Sequence, residues 1–416
     1  MAADDTSADD ARAVAEIAAR AAYGRLVAWL AARSRDVAGA EDALSEAFLA
    51  ALETWPARGI PVRPEPWLLA VARRKLIDRA RRNQSHAAAE PDLIRQIEEA
   101  ELATQDSLFP DERLKLLFIC AHPAIAASVR TPLMMQTVFG FDAARIASAF
   151  LASPSAMGQR LVRAKTKIRA ANLGFAEPDR ADWPQRLGAV LSSIYAAYTS
   201  GWDDPAGLDG HRSGFTREAI ALGRMVTAML PRDGETHGLL ALMLHCEARK
   251  PARRAWDGAF VPLSEQDTQL WDADMIAEAE TSLRRALECG PPSRFALEAA
   301  IQSAHAARKS QGRADWQAIT RLYDRLVEVT PALGAQISRA AAIGEVDGAA
   351  PALAVLEAMD PDRVSQHQPW WATRAHLLSR AGRTAEAAEA FRRAAGLTSD
   401  PAVRRWLLQQ ANARSA

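Results

Sequence analysis

From Ala11 to Arg82 the apolar positions recur at helical spacing. The stretch AEDALSEAFLAALETW sets Ala43 and Ala47 beside Leu44, Phe48 and Leu52 on neighbouring stripes, which predicts an amphipathic helix. PWLLAVARRKLIDRARRN opens with Pro66, a residue suited to a first helical turn. It runs Trp67, Leu68, Val71, Leu76 and Ile77 along an apolar stripe beside a basic one. The proline-rich PARGIPVRPEP between these segments reads as a loop.

A second helical block lies between Arg113 and Phe175. Gly140 breaks it, and Asp142 is placed to cap a short helix from Ala143 to Leu151. Ser153 followed by Pro154 supplies an N-cap hydroxyl and a first-turn proline for a longer helix to about Ala171. Leu161, Val162, Ala164 and Ile168 are expected to face a core, with Gln159, Arg160, Arg163 and Lys167 projecting away. A short helix, a tight turn and a longer basic helix form the helix-turn-helix pattern, whose second helix enters the DNA major groove.

The C-terminal part carries a weak internal repeat. Trp371, Ala375, Leu378, Ala387, Phe391 and Ala394 fit tetratricopeptide spacing. Tyr323, Leu326 and Pro331 share the mutual offsets of the repeat's second helix, as do Leu353, Leu356 and Pro361. A generic helical bundle is the alternative. Sparse β-branched residues and abundant Ala, Leu, Arg and Glu agree with an all-α protein throughout.

Charge changes the picture locally. The 416-residue chain is neutral, with 51 basic and 51 acidic residues. Yet no carboxylate occurs from Ala143 to Ala176, where Arg145, Arg160, Arg163, Lys165, Lys167 and Arg169 stand. An Asp or Glu there would repel phosphates, so the purity fits DNA binding; a solvated basic face is the plainer reading. Arg73, Arg74, Lys75, Arg79, Arg81 and Arg82 crowd a second short segment. Ahead of it, Glu41, Asp42, Glu46 and Glu53 present acidity suited to a basic protein surface.

Composition excludes other classes. Cys120, Cys246 and Cys289 form no CxxC pair, so neither a zinc site nor a disulfide framework is suggested. No phosphate-binding glycine loop or nucleophile elbow appears, so no enzyme and no cofactor is expected. Asp203, Asp204, Asp209, His211 and Arg212 gather in one loop, but their spacing is irregular for a metal site. His237 and His245 are two turns apart and poor co-ligands. The acidic N-terminus is no signal peptide, and no apolar run is long enough to span a bilayer. A cytoplasmic protein without membrane contact is expected.

These motifs resemble a bacterial RNA polymerase sigma factor of the extracytoplasmic-function type. AEDALSEAFLAALETW is similar to the core-polymerase-binding helix of sigma region 2, and PEPWLLAVARRKLIDRARR to the part that melts and reads the −10 element. The span from ERLKLLFIC to RLVRAKTKIR resembles sigma region 4, which reads the −35 element. The C-terminal array resembles the subgroup with a tetratricopeptide-like extension. The resemblance implies region 2 over 1–85, an acidic linker over 86–112, region 4 over 113–175 and the extension over 182–416.

It also implies partners and sites. Core RNA polymerase would meet Asp42, Leu44, Glu46, Phe48 and Leu49. Promoter DNA would meet Arg73, Arg74, Lys75, Asp78, Arg79 and Arg82 at −10, and Ser155, Ala156, Gly158, Gln159, Arg160, Arg163 and Lys167 at −35. A regulatory protein at the C-terminal domain is the further partner implied. Many relatives carry a hydroxyl and a basic residue early in the recognition helix, where this chain has Ala156 and Gly158. An operator-binding regulator with a helical scaffold is the alternative, but it has no need for the region 2 pair of helices.

Overall fold

Helices start where short polar side chains can satisfy the first free N–H groups. In the computed structural model the described residues are 2–34, 36–83, 109–150, 152–170, 178–202 and 210–414. Most of the expected acidic linker and the loop bearing Asp203, Asp204 and Asp209 lie outside them, as do the side chains of His211 and Arg212. Every regular element among the described residues is helical, apart from an isolated bridge between Arg254 and Phe260. The chain is all-α. It divides into two compact units, residues 1–201 with 210–225, and 202–209 with 226–416.

The first unit opens with α1 (Ala2–Ser34), α2 (Val37–Arg58) and α3 (Pro64–Asn83). Ala11, Ala15, Ala18, Ala22 and Leu26 form the buried stripe of α1. Asp36 caps α2 by accepting from the Gly39 N–H at 3.0 Å. Ala40, Ala43, Leu44, Ala47, Ala51 and Trp55 face inward along α2, and Trp55 meets Trp67 of α3 edge-on with ring centroids 5.5 Å apart. The small alanines let α1 and α2 approach closely.

The helix-turn-helix block contains α4 (Glu112–Cys120), α5 (Ala127–Thr137), α6 (Ala143–Ala149) and α7 (Pro154–Ala170). The expected caps are present: Arg145 N–H donates to Asp142 at 2.7 Å, and Ala156 N–H to Ser153 at 3.3 Å. Leu161, Ala164 and Ile168 are buried as expected, but Val162 is 64% exposed. One residue along a helix rotates about 100°, which carries position 162 off the 161/164/168 stripe.

This block shares a core with α1. The Gly24 backbone of α1 passes so close to the end of α5 that an added Cβ would lie 1.9 Å from the Val138 carbonyl oxygen. Gly140, at φ +70°, turns the chain beside the Tyr23 ring. Two further helices, α8 (Trp183–Trp202) and α9 (Gly210–Met229), follow, and the unit boundary falls inside α9. Phe109, Phe118 and Trp183 form an aromatic cluster with centroids 5.1–5.6 Å apart. Arg186 donates to the Phe118 carbonyl at 3.2 Å, and Arg113 pairs with Glu218 at 2.9 Å.

The second unit is an array of antiparallel helices. It contains α10 (Gly234–Ala248), α11 (Ala273–Glu288), α12 (Arg294–Ala306), α13 (Trp316–Val329), α14 (Leu333–Val346), α15 (Ala349–Glu357), α16 (Gln368–Arg380), α17 (Thr384–Leu397) and α18 (Pro401–Asn412). Consecutive helices pack on each other, and α10 is buried nearly all round. Ala375, Leu378, Ala387, Phe391 and Ala394 are buried where α16 meets α17, with Trp371 packed half-buried against them.

Two glycine substitutions test this packing in opposite directions. Gly24→Ala must displace backbone, so it should destabilise the first unit by about 1–3 kcal/mol. Gly158 has nothing near its missing Cβ. Gly158→Ala should therefore stabilise by up to about 1 kcal/mol. Denaturant midpoints followed by far-ultraviolet circular dichroism measure both, and equal midpoints for the two variants would refute the close approach of α1.

Candidate nucleic-acid interface

Two cationic surfaces and one acidic helix lie within the first unit. On α7, Ser155, Gln159, Arg160, Arg163 and Lys167 are exposed, and Ala156 and Gly158 are half-buried. The basic window is not uniformly outward, however. Arg145 lies over the Phe141 ring at 4.5 Å and reaches the Ser200 carbonyl, so it serves packing. Lys165 turns inward to an ion pair with Glu41 of α2. The side chain of Arg169 lies outside the described residues.

Arg160, Arg163 and Lys167 rim a cleft of about 460 Å³ between α7 and the start of α5. Ile125, Val129 and Ala164 add apolar surface to it. Arg130 holds the turn before α5 by donating to the Ile125 and Pro123 carbonyls at 2.9 and 3.0 Å. The cleft therefore combines three exposed cations with an apolar wall, an arrangement able to take a phosphate backbone or an acidic chain.

On α3, Arg74 is exposed and Arg73 and Asp78 are half-buried, while the Arg82 side chain lies outside the described residues. Arg79 pairs with Asp42 at 2.6 Å, and Lys75 with Glu46 at 3.3 Å. All four of these side chains keep substantial exposure to water. Such pairs contribute about 0–1 kcal/mol each, so a phosphate or a protein cation displaces them readily.

The acidic helix α2 is thus divided in its roles. Leu44 is fully buried and packs the core of the unit in this state. Phe48 is half-buried, Leu49 is 60% exposed and Leu52 is also exposed, forming an apolar strip on the outer side. Glu41 was expected on the acidic surface but is only 6% exposed. Burial pushes its carboxyl above the usual range, and the Lys165 ammonium opposes that shift. Removing one partner from such a buried pair costs about 3–5 kcal/mol, because the other charge is left uncompensated.

The Glu41–Lys165 contact was missed by sequence reasoning, although a signal existed. Lys165 shares the inward stripe of Leu161, Ala164 and Ile168, and Glu41 shares that of Val37, Ala40 and Leu44. A charged residue on a buried stripe demands a partner. Nothing in the spacing says which one.

Elsewhere, His237 and His245 are both buried on α10, and His237 hydrogen-bonds the Pro231 carbonyl at 3.1 Å. Among the described residues no group of three His, Cys, Asp or Glu side chains is placed to hold a metal, and no helix is long and apolar enough to cross a membrane.

Two segments of the chain match known protein families. Residues 19–86, which hold α2, α3 and the inner part of α1, match Sigma-70 region 2. Residues 186–287 match a family of unknown function (DUF6596). The uncharacterized protein R00370 of Rhizobium meliloti (strain 1021) is 35% identical over 376 residues, covering 89% of each chain. The chain belongs to the same family as that protein and carries a segment that matches Sigma-70 region 2.

Proposed function

We propose that the protein is a sigma factor of the extracytoplasmic-function type, a specificity subunit that directs core RNA polymerase to its promoters. The observation that carries this reading is the helix pair inside the span matching Sigma-70 region 2. There, α2 offers exposed Leu49 and Leu52 beside carboxylates, and α3 offers a basic face whose described ion pairs, Lys75–Glu46 and Arg79–Asp42, are exposed. The helix α7, with its carboxylate-free exposed face, supplies the second DNA reader and fits the −35 role. The polymerase performs the chemistry.

The free protein is closed in this reading. Neighbouring residues of α2 hold both DNA-facing helices: Glu41 binds Lys165 of α7, and Asp42 binds Arg79 of α3. The −10 and −35 positions are separated by about 25 base pairs, roughly 85 Å of B-DNA. Two helices gripped by one turn of α2 do not span that distance. Reading both elements requires α7 to leave α2, and polymerase, by engaging α2, is the agent that releases it.

The second unit supports a regulatory role. Its stacked helix pairs are of the kind that tetratricopeptide-like arrays use to present an interaction surface. Residues 183–201 and 210–225 cluster with the first unit, and Trp183 and Arg186 help build its core. A truncation after Pro178 would therefore strip packing from the DNA-binding part, whereas one after Pro231 leaves it intact.

Mixing the purified protein with core polymerase and mapping transcript starts on genomic DNA tests the function directly; new, discrete start sites are expected. Arg160→Ala and Gln159→Ala should each lower output from promoters that use the −35 element by about 5–150-fold, the effect of losing 1–3 kcal/mol of base contact. Unchanged output with intact folding would remove α7 from the reading role. Leu49→Asp should weaken core association at least tenfold at unchanged helicity, because it places a charge on exposed apolar surface without touching the interior. Ending the chain after Pro231 should leave the first unit folded and change promoter output severalfold, and full-length output from that form would refute regulation by the second unit.

A further inference from the structure

The segment joining α10 to α11, residues 249–272, is long for a connection within a helical array, and it lies inside the span matching the family of unknown function. It is built only of short 3-10 turns and the Arg254–Phe260 bridge. Connections longer than about 12–15 residues without regular structure are uncommon, and the ordered ones are generally functional.

This one is anchored from several sides. Arg308 donates to the Leu263 and Gln266 carbonyls at 2.7 and 2.8 Å, and Lys309 to the Trp271 carbonyl at 2.7 Å. Arg254 pairs with Asp400 at 2.5 Å, with both side chains largely buried. Phe260 packs edge-on against Trp406 at 5.7 Å. The tip is a tight turn: Val261 N–H donates to Arg253 and Ala255 N–H to Ala259, both at 3.0 Å, and Gly258 adopts φ +79°.

On this fixed turn stands Trp256, 100% exposed. A rigid backbone that presents an indole to water has already met the ordering cost of a binding loop. Tryptophan is also among the residues most enriched at the energetic centres of protein interfaces. The surrounding charge is one-sided. Arg254 and Lys250 are taken up by Asp400 and Glu247, whereas Asp257, Glu265, Asp267 and Asp272 are exposed, as is Leu270.

We propose that this turn is a second docking surface for core RNA polymerase, with Trp256 entering an apolar socket rimmed by Lys and Arg. The inference rests on the sigma-factor reading. Exposed carboxylates repel phosphates, which disfavours nucleic acid as the occupant. They complement a basic protein surface, and polymerase is the protein that the sigma role brings to this chain.

The test titrates full-length wild type, Trp256→Ala and Glu265→Lys against core polymerase without promoter DNA. Trp256→Ala should weaken binding at least tenfold, and Glu265→Lys should weaken it less and flatten its salt dependence. Both variants should keep wild-type helicity and melting, because neither side chain packs into the array. Equal core affinity of wild type and both variants overturns the docking surface and leaves the sigma reading standing. A wild type that binds no core removes the sigma reading and this inference with it. Unaltered core affinity together with Trp256-dependent binding to single-stranded DNA, or Trp256-dependent dimerisation in sedimentation, overturns the inference in favour of a nucleic acid or a second copy of the chain.

Discussion

The buried ion pair between Glu41 and Lys165 is the contact on which the arrangement of the first unit depends. It joins residues 124 positions apart and fastens the helix-turn-helix to the helix with the sigma region 2 signature. Its neighbour on α2, the Asp42–Arg79 pair, is exposed and weak. The two holds are therefore unequal. The basic helix α3 is free to exchange its partners at little cost, while α7 is released only when something repays the desolvated charge at Glu41. Burial pushes the Glu41 carboxyl upward against the facing ammonium, and its Oε1 has no hydrogen-bond partner among the described residues. In the proposed reading this contact sets a closed state that polymerase opens.

Packing around the pair supports the same state. The close approach of Gly24 to Val138, and of Tyr23 to Gly140, makes α1 part of the wall against which the helix-turn-helix rests. Cys120 and Thr137 lie within the same core, and burial pushes the Cys120 thiol up to about 12, which makes it an inert packing residue. The aromatic cluster of Phe109, Phe118 and Trp183 then carries the core into α8. Opening the pair exposes apolar surface as well as charge, so a partner that opens it must cover both. In the proposed reading, the exposed apolar strip of α2 and the Trp256 turn are the surfaces that meet such a partner.

Much of this was legible from local chemistry. The caps at Asp142 and Ser153, the all-helical class, the outward set Gln159, Arg160, Arg163 and Lys167, and the inward set Ala375, Leu378, Ala387 and Phe391 follow from spacing within a single element. Val162 was misplaced because it adjoins the buried stripe without sharing its phase. What spacing does not encode is which surface each helix meets. The inward turns of Arg145 and Lys165, the burial of Glu41 and the division of the chain inside α9 depend on long-range packing. Charge counting along the chain treats a cation facing DNA and a cation facing a buried carboxylate alike.

The distance between α3 and α7 tests the closed-to-open account most directly. Cysteines at the exposed positions Arg74 and Arg163, in full-length protein with the exposed Cys289 replaced by serine, accept a pair of spin labels. The account predicts one short distance in the free protein and an increase of several tens of ångströms on addition of core polymerase, toward the ~85 Å scale set by the promoter elements. A complex that initiates transcription while the two labels keep their short free-state distance would contradict it.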